Sequence, residues 1–370
     1  MSEDLASPEV EHRFPCDSCG SDLRFDPGAD RLTCDHCGAA QEMAVAKARS
    51  IREIDIEEGL RASATDGDME ETRVSACPSC GAKVEFDPDV HAAECPYCAT
   101  PVVTDTGTHR HIKPAGLVPF ELSERKAKAA MNDWLGRLWF APNGLKEYAR
   151  KGRKLSGIYV PYWTFDAQTR TQYTGERGTV YYETKTVVVD GKRQNRQVAK
   201  TRWRRVSGRV QRFFDDVLVL ASRSLPKTNT DNLEPWDLSA LVPYAPAYLA
   251  GFRAEGYQVE LREGLTEARD HMDRVIARDI RMDIGGDKQR IHSADTEMSD
   301  VTFKHILLPI WIAAYKYRGK SYRFVVNAQT GRVQGERPYS AWKIAFAVVF
   351  ALIFAIGIGF IVALAESGQL

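Results

Sequence analysis

Hydrophobic residues recur at helical spacing after Ser123: Ala127, Ala130, Met131, Trp134, Leu135 and Leu138 fall along one side of an amphipathic helix of about four turns. Ser123 supplies its N-cap, and Pro142, Asn143 and Gly144 break the pattern. The period then changes. Residues 158–165 are β-branched and aromatic, Tyr173 and residues 180–182 and 187–189 continue in kind, and Asp190 with Gly191 gives a hairpin signal. Residues 217–220 read as a buried strand. A second helix is expected over 257–282, with Leu265, Ala268, Met272, Val275 and Ile276 on one face and Gly285 and Gly286 closing it. Strands resume at 306–311 and 322–326. Ile158, Pro161 and Trp163 have the same spacing as Ile306, Pro309 and Trp311, 148 residues further on. A degenerate duplication, equivalent sheet positions and two unrelated core strands all account for that spacing. Proline within a strand points to an edge or a bulge.

Residues 344–365 form 22 consecutive positions without a charged or polar side chain. At about 1.5 Å per residue such a helix spans roughly 33 Å, enough to cross a bilayer core. Arg332, Arg337 and Lys343 precede the span, so the positive-inside asymmetry places the bulk of the chain in the cytoplasm, on a single-pass C-terminal anchor in the cytoplasmic (inner) membrane. Tyr339 and Trp342 sit where an interfacial aromatic belt would lie. The N-terminus carries no basic and apolar signal-peptide pattern. Within the span Ala347, Ala351, Ala355, Gly359 and Ala363 recur every four residues, a small-residue stripe that lets helices approach closely. It suggests a homo-oligomer or another membrane protein as partner; the abundance of alanine in membrane spans is the competing explanation.

Charge divides the chain. The 370 residues carry 50 basic and 50 acidic side chains, but residues 1–107 hold 23 acids against 9 bases. An acidic module is therefore joined to a basic one. All eight cysteines lie in the acidic module, as four Cys-x-x-Cys pairs: Cys16 and Cys19, Cys34 and Cys37, Cys77 and Cys80, Cys95 and Cys98. The first two pairs repeat as the last two at an offset of 61, together with Gly20 as Gly81 and Phe25, Asp26 and Pro27 as Phe86, Asp87 and Pro88. Two knuckles of two thiolates each supply the four corners of a tetrahedral Zn2+, so two structural zinc sites are expected, with no open position for catalysis. Each unit is too small for a core of its own, and metal binding supplies most of its folding free energy. A reducing compartment disfavours disulfides. His36 reads as a surface residue, since four thiolates already fill the first site. The acidic surroundings disfavour nucleic acid as the ribbons' ligand and suit a protein partner, or the chain's own basic half. The charged residues between the ribbons suggest a flexible connector, with Ile51, Ile54, Ile56 and Leu60 able to form a short helix or strand.

Between Asp190 and Asp215 no acid occurs, while Lys192, Arg193, Arg196, Lys200, Arg202, Arg204, Arg205, Arg209 and Arg212 place nine positive charges around Trp203. Like charges so dense call for a counter-surface. Anionic lipid of the inner leaflet is the first choice for a tethered body, at about 1 kcal/mol per basic residue. Nucleic-acid phosphates and the chain's own ribbons are the others. A solvated hairpin face is the simpler account. No catalytic constellation stands out. Residues 314–321 fit a loose phosphate-loop pattern, but their alternation is that of a hairpin turning at Gly319, where a phosphate loop needs a strand, a glycine-rich loop and a helix.

The expected fold class is α+β: two small N-terminal four-cysteine zinc ribbons (1–41 and 76–108) about a charged linker (42–75), a β-rich body with two or three helices (109–338), and one C-terminal transmembrane helix (339–366). The tandem Cys-x-x-Cys-Gly ribbons, the Val-Pro-Tyr-Trp-Thr-Phe-Asp stretch at 160–166 and the C-terminal span resemble a bacterial family of TFIIB-type zinc-ribbon membrane proteins, the YdjG-like proteins. The resemblance covers most of the chain. It implies an adaptor that works beside SPFH-domain and phage-shock partners at a stressed membrane. Some members carry the name primosomal protein N′ or replication factor Y-like through their ribbons, which implies a replication-associated nucleic-acid binder as the alternative; the chain lacks the phosphate loop and length of a helicase. An enzyme site hidden in the body is the third possibility.

Overall fold

The computed structural model describes residues 14–43, 51–62, 69–77, 82–85, 92–95, 97, 101–103, 108–140, 155–189, 192–317, 320–336 and 339–366. The first ribbon is the antiparallel sheet of β1 (Leu23–Asp26), β2 (Arg31–Cys34) and β3 (Ala40–Glu42). β4 (Ile54–Asp55) and α1 (Ile56–Ala62) follow. The second ribbon region holds β5 (Met69–Ala76), β6 (Lys83–Glu85), β7 (Ala92–Glu94), β8 (Pro101–Val103) and β9 (Thr108–Ile112). The repeat in sequence is a repeat in register: Arg31 pairs with Glu42 in the first unit, and Ala92 pairs with Val103, 61 residues on, in the second.

The body is a nine-stranded sheet built on three long strands, β11 (Ser156–Val189), β12 (Lys192–Leu220) and β15 (Lys288–Tyr317), with β11 in the middle. β10 (Gly116–Leu117), β13 (Val242–Pro243), β14 (Arg253–Ala254), β16 (Lys320–Asn327), β17 (Val333–Gly335) and β4 complete it. The helices are α2 (Glu124–Arg137), α3 (Lys227–Asp231), α4 (Leu261–Ile284) and α5 (Ala341–Glu366). The fold is thus α+β with a large β-rich body, a four-cysteine cluster near the N-terminus and one apolar C-terminal helix.

Strand alternation sorts the core onto two faces of the sheet. Tyr159, Trp163, Leu307 and Trp311 point to the face covered by α2, α4 and the first ribbon, while Ile158, Val160, Ile306 and Leu308 point to the face covered by Tyr97 of the second ribbon and by Leu225, Leu233 and Trp236. α4 comes so close to the sheet that a Cβ on Gly264 would stand 2.7 Å from the Trp163 ring. The segment read as a free connector is partly docked: β4 pairs with β15, and Ile56 is buried in the same cluster as α4. Apolar residues at 51, 54 and 56 outweigh the surrounding charge there.

The shared spacing of the two tryptophan strands proves to be an internal duplication. β10, α2, β11 and β12 form one half; β14, α4, β15 and β16 form the other. Gly116 and Leu117 run parallel to Ile306 and Leu307, and Arg253 and Ala254 run parallel to Ile158 and Tyr159. Trp163 Nε1–H donates to the Val259 carbonyl at 2.8 Å, and Trp311 Nε1–H donates to the Leu122 carbonyl at 2.8 Å. The Ala221 N–H donates to the Pro161 carbonyl, and the Ala328 N–H to the Pro309 carbonyl. Both prolines lie in central strands, beside the point where a neighbouring ladder ends, so neither needs the outer edge that sequence suggests. A pseudo-twofold axis normal to the sheet relates the halves, since β11 and β15 are antiparallel and their tryptophans share a face.

The halves differ in one respect. β11, β12 and the first part of β15 run on past the core as a three-stranded arm, backed by α4, and β11 and β12 then continue alone to the pairing of Val189 with Lys192. Separate strands at Tyr173, 180–182 and 187–189 are one strand, and residues 288–305, too polar to read as a strand, pair with β11 almost throughout. Gly175 explains one irregularity. The register shifts between Thr174 and Gly175, and a Cβ there would meet the Arg290 carbonyl oxygen at 2.4 Å.

Candidate metal centre and basic arm

The knuckles at Cys16 and Cys34 turn on backbone bonds from the Cys16 N–H to the Ser21 carbonyl (2.7 Å) and from the Cys34 N–H to the Ala39 carbonyl (2.8 Å). Gly20 (φ 72°) and Gly38 (φ 74°) take the left-handed conformation that these turns require. The four sulfurs of Cys16, Cys19, Cys34 and Cys37 lie within 4.8 Å of one another, with Cys16–Cys37 and Cys19–Cys34 at 3.6 Å. A tetrahedron with Zn–S bonds of about 2.3 Å has edges of about 3.8 Å, so this donor set fits one zinc ion. The backbone prepares two thiolates. The Cys37 N–H, followed by that of His36, draws the Cys34 thiol down to about 6, and the Ser18 N–H foremost draws Cys16 down. At Cys19 the Ser21 N–H pulls the same way, but the bonds shared with Cys37, Cys34 and Cys16 win and push it up to about 12. Four sulfurs packed this closely resist ionising together without a cation among them. His36 is exposed, in keeping with four thiolates filling the site.

The second unit repeats one of these bonds: the Cys77 N–H donates to the Ala82 carbonyl at 2.8 Å, which is the Cys16–Ser21 bond displaced by 61 residues. Cys77 and Cys95 are buried; Cys80 and Cys98 lie outside the described residues.

Both ribbons dock on the body by aromatic residues, away from the basic strand. Phe25 packs edge-on against Tyr248 and Phe252 at 5.3 and 6.4 Å, and its N–H donates to the Ala250 carbonyl. Tyr97, fully buried, donates its hydroxyl to Glu255 at 2.6 Å. Glu255 also accepts from Ser222 and Gln258 at 2.9 Å and from Ser224. Burial pushes its carboxyl up to about 7, against the pull of these donors. Sequence reasoning missed this group, because Glu255 and its partners come from three separate segments, at Tyr97, at Ser222 and Ser224, and at Glu255 and Gln258. The only sequence signal was positional: Tyr97 stands where the first unit has His36.

A second buried cluster surrounds Lys304, with Asp216 at 2.7 Å, Glu53 at 3.1 Å and Asp166 at 3.6 Å. Desolvation works to lower the ammonium's pKa, but Asp216, Asp166 and Glu53 outweigh it and raise it. The cluster ties the inter-ribbon segment to the sheet.

The nine basic residues all lie on β12, which pairs with β11 alone among the described strands. Nothing is described of the Lys192 and Arg193 side chains. Neutralisation falls off along the arm. Arg212 is held by Asp279 of α4 through two bonds of 2.6 and 2.7 Å. Arg205 stands opposite Glu176, which is paired with Arg290 at 3.4 Å. Arg290 in turn lies 3.9 Å over the Trp203 ring. Lys200 pairs with Glu183, and Arg202 lies over Tyr181. Arg204 faces Arg177, and Arg196 faces Lys185, like against like. Arg209 stands opposite Gln172, and no acid pairs with Arg196, Arg204 or Arg209 among the described residues. The nearest counter-charges thus come from Asp279 on α4 and from Glu176 and Glu183 on β11.

α5 contains one stretch, Ala341–Gly359, long and apolar enough to cross a membrane, with a mean hydropathy of 2.4 and none of it buried. Ala351, Ala355 and Gly359 lie exposed along it and Ala347 half-buried, and Ala363 lies on the helix with its side chain undescribed. The register of β17 on β16 aims the chain leaving for α5 toward the Tyr317 end of β15, whereas the arm leaves from the Lys288 end. The hairpin reading of 314–321 agrees with the pairing of Tyr317 with Lys320.

An uncharacterised protein of Bacillus subtilis (strain 168), YdjG, is 25% identical over 333 residues, covering 90% of this chain and 92% of that relative. No family model matches the sequence. No solved structure matches it either.

Proposed function

We propose that this chain is a membrane-anchored zinc-ribbon adaptor of the TFIIB-type ribbon class, with α5 in the cytoplasmic membrane and the rest in the cytoplasm. One observation supports it most: an exposed apolar helix leaves one end of the sheet while a long, under-neutralised basic arm leaves the other. At about 3.3 Å per residue, the part of β15 in the arm, from Thr302 to Lys288, spans roughly 45 Å, and β11 runs on from Gly178 to Val189 for roughly 35 Å more. An arm of that reach meets a partner well beyond the headgroups that bind the anchor's flank. The arm's ligand is then an acidic protein surface; inner-leaflet anionic lipid is left to the base of the body. The ribbons each hold one structural zinc, through Cys16, Cys19, Cys34 and Cys37 and through Cys77, Cys80, Cys95 and Cys98. Their docking through Phe25 and Tyr97 makes them braces of the body as well as surfaces for a partner.

The test is proximity labelling from the full-length chain, compared with the triple variant Arg202→Glu, Arg204→Glu and Arg205→Glu. The adaptor reading expects a defined set of labelled proteins that the reversal removes while the chain stays in the membrane fraction. An unchanged set refutes it. DNA binding by the full chain whose log–log salt slope drops by about 3 on the reversal would instead establish the replication-associated reading.

A further inference from the structure

The turn that ends α2 lies beside the first turn of α5, although 200 residues separate them in sequence. Leu135 and Leu138 are buried and fix the end of α2 in the core. The next two residues turn outward: Trp139 is 76% exposed, and Phe140 is exposed beside it. The Phe140 carbonyl accepts the Ser340 N–H at 2.8 Å, and the Ser340 carbonyl accepts the Ile344 N–H as the helix begins. That bond ties the Trp139 turn to the base of α5, where Tyr339 and Trp342 are also exposed, Trp342 by 81%. Four large aromatic side chains from two distant segments therefore gather, solvent-facing, at the point where the apolar helix starts.

Exposed rings of this size cost free energy in water and find their favoured place at the headgroup level of a bilayer, where tryptophan satisfies its N–H and buries its ring. We infer that Trp139 and Phe140 are a second membrane contact of the body, inserting into the phospholipid interface beside the α5 base. The occupant is lipid because the patch is continuous with the apolar helix through a backbone hydrogen bond. Exposed aromatics elsewhere, such as Phe213 on the arm, lack that continuity. Two contacts, one spanning and one interfacial, hold the body in a single orientation: the α2, β16 and β17 corner sits on the membrane, and the arm points away from it. This inference rests on the anchor reading of α5.

The test keeps the full chain, reconstituted in vesicles of phosphatidylcholine and phosphatidylglycerol. A photoactivatable benzoyl-phenylalanine replaces Trp139, Phe140, Phe350 or Phe213, one at a time, and lipid adducts are read by mass spectrometry. Adducts at 139 or 140 and at 350, with none at 213, are expected. Adducts at 350 alone overturn the second contact and leave the anchor standing. Absence at 350 overturns the anchor itself. A crosslink from 139 to a second protein chain in place of lipid also overturns the inference. Independently, Trp139→Phe is expected to reduce the fraction of tryptophan fluorescence quenched by brominated acyl chains; an unchanged fraction counts against the contact.

Discussion

Glu255 shows how one residue couples a ribbon to the body. Its buried carboxyl, pushed up to about 7, keeps its proton in the folded chain over a pH range where the unfolded chain has lost it. The native state therefore binds more protons in that window, and stability falls as pH rises from the ordinary carboxyl range through about 7. Glu255→Gln keeps the shape and removes the ionisation. Thermal melts of the full chain from pH 5 to 8 are expected to decline for the wild type and to run flatter for the variant; parallel curves would contradict this. No periodicity marks such a residue. Tyr97, Ser222 and Ser224 meet it only through the sheet's connections, whereas the four-cysteine cluster announces itself by spacing alone.

At the level of elements, legibility followed physical cause. The knuckles, α2 and α4 were readable because local rules dictate them: the Cys-x-x-Cys turn and the 3.6-residue stripe; Ser123 stands at the N-cap of α2 but makes no side-chain capping bond. The arm was not. Its strands are rich in Thr, Gln and Arg because, beyond α4, both faces meet water, so the alternation that betrays a half-buried strand is missing. The docked ribbons were equally hidden, since nothing in the Cys-x-x-Cys repeat says that Phe25 seats between Tyr248 and Phe252. Cys34→Ser is expected to lower bound zinc by one ion per chain in an elemental assay, and to open the first ribbon to limited proteolysis because β2 loses its fixed end. An unchanged zinc content would refute the assignment of that site.

For the whole molecule, the duplicated halves form the core and the arm is an outgrowth of it. Shortening the hairpin so that Thr179, cross-strand neighbour of Arg202, is joined to it by an Asn-Gly turn removes the two-stranded tip but none of the strand length backed by α4. The thermal midpoint is expected to stay in place while the labelled neighbours of the full chain are lost. A collapse of the midpoint would show the tip to be part of the core. The duplication was half legible: the two tryptophan motifs gave the period, but only the matched hydrogen bonds of Trp163 and Trp311 separate duplication from coincidence.

The antiparallel pairing of β11 with β15 also sets a timetable for biosynthesis. β11 and β12 are contiguous and zip together within microseconds of leaving the ribosome, but β11's other edge waits for a strand that begins almost a hundred residues after it ends. At about 5–20 residues per second that edge stays open for roughly ten seconds, in a nascent chain whose first ribbon has already bound or missed its metal. The same pairing that makes the finished sheet continuous thus leaves the unfinished one reliant on chaperone cover until α4 and β15 arrive.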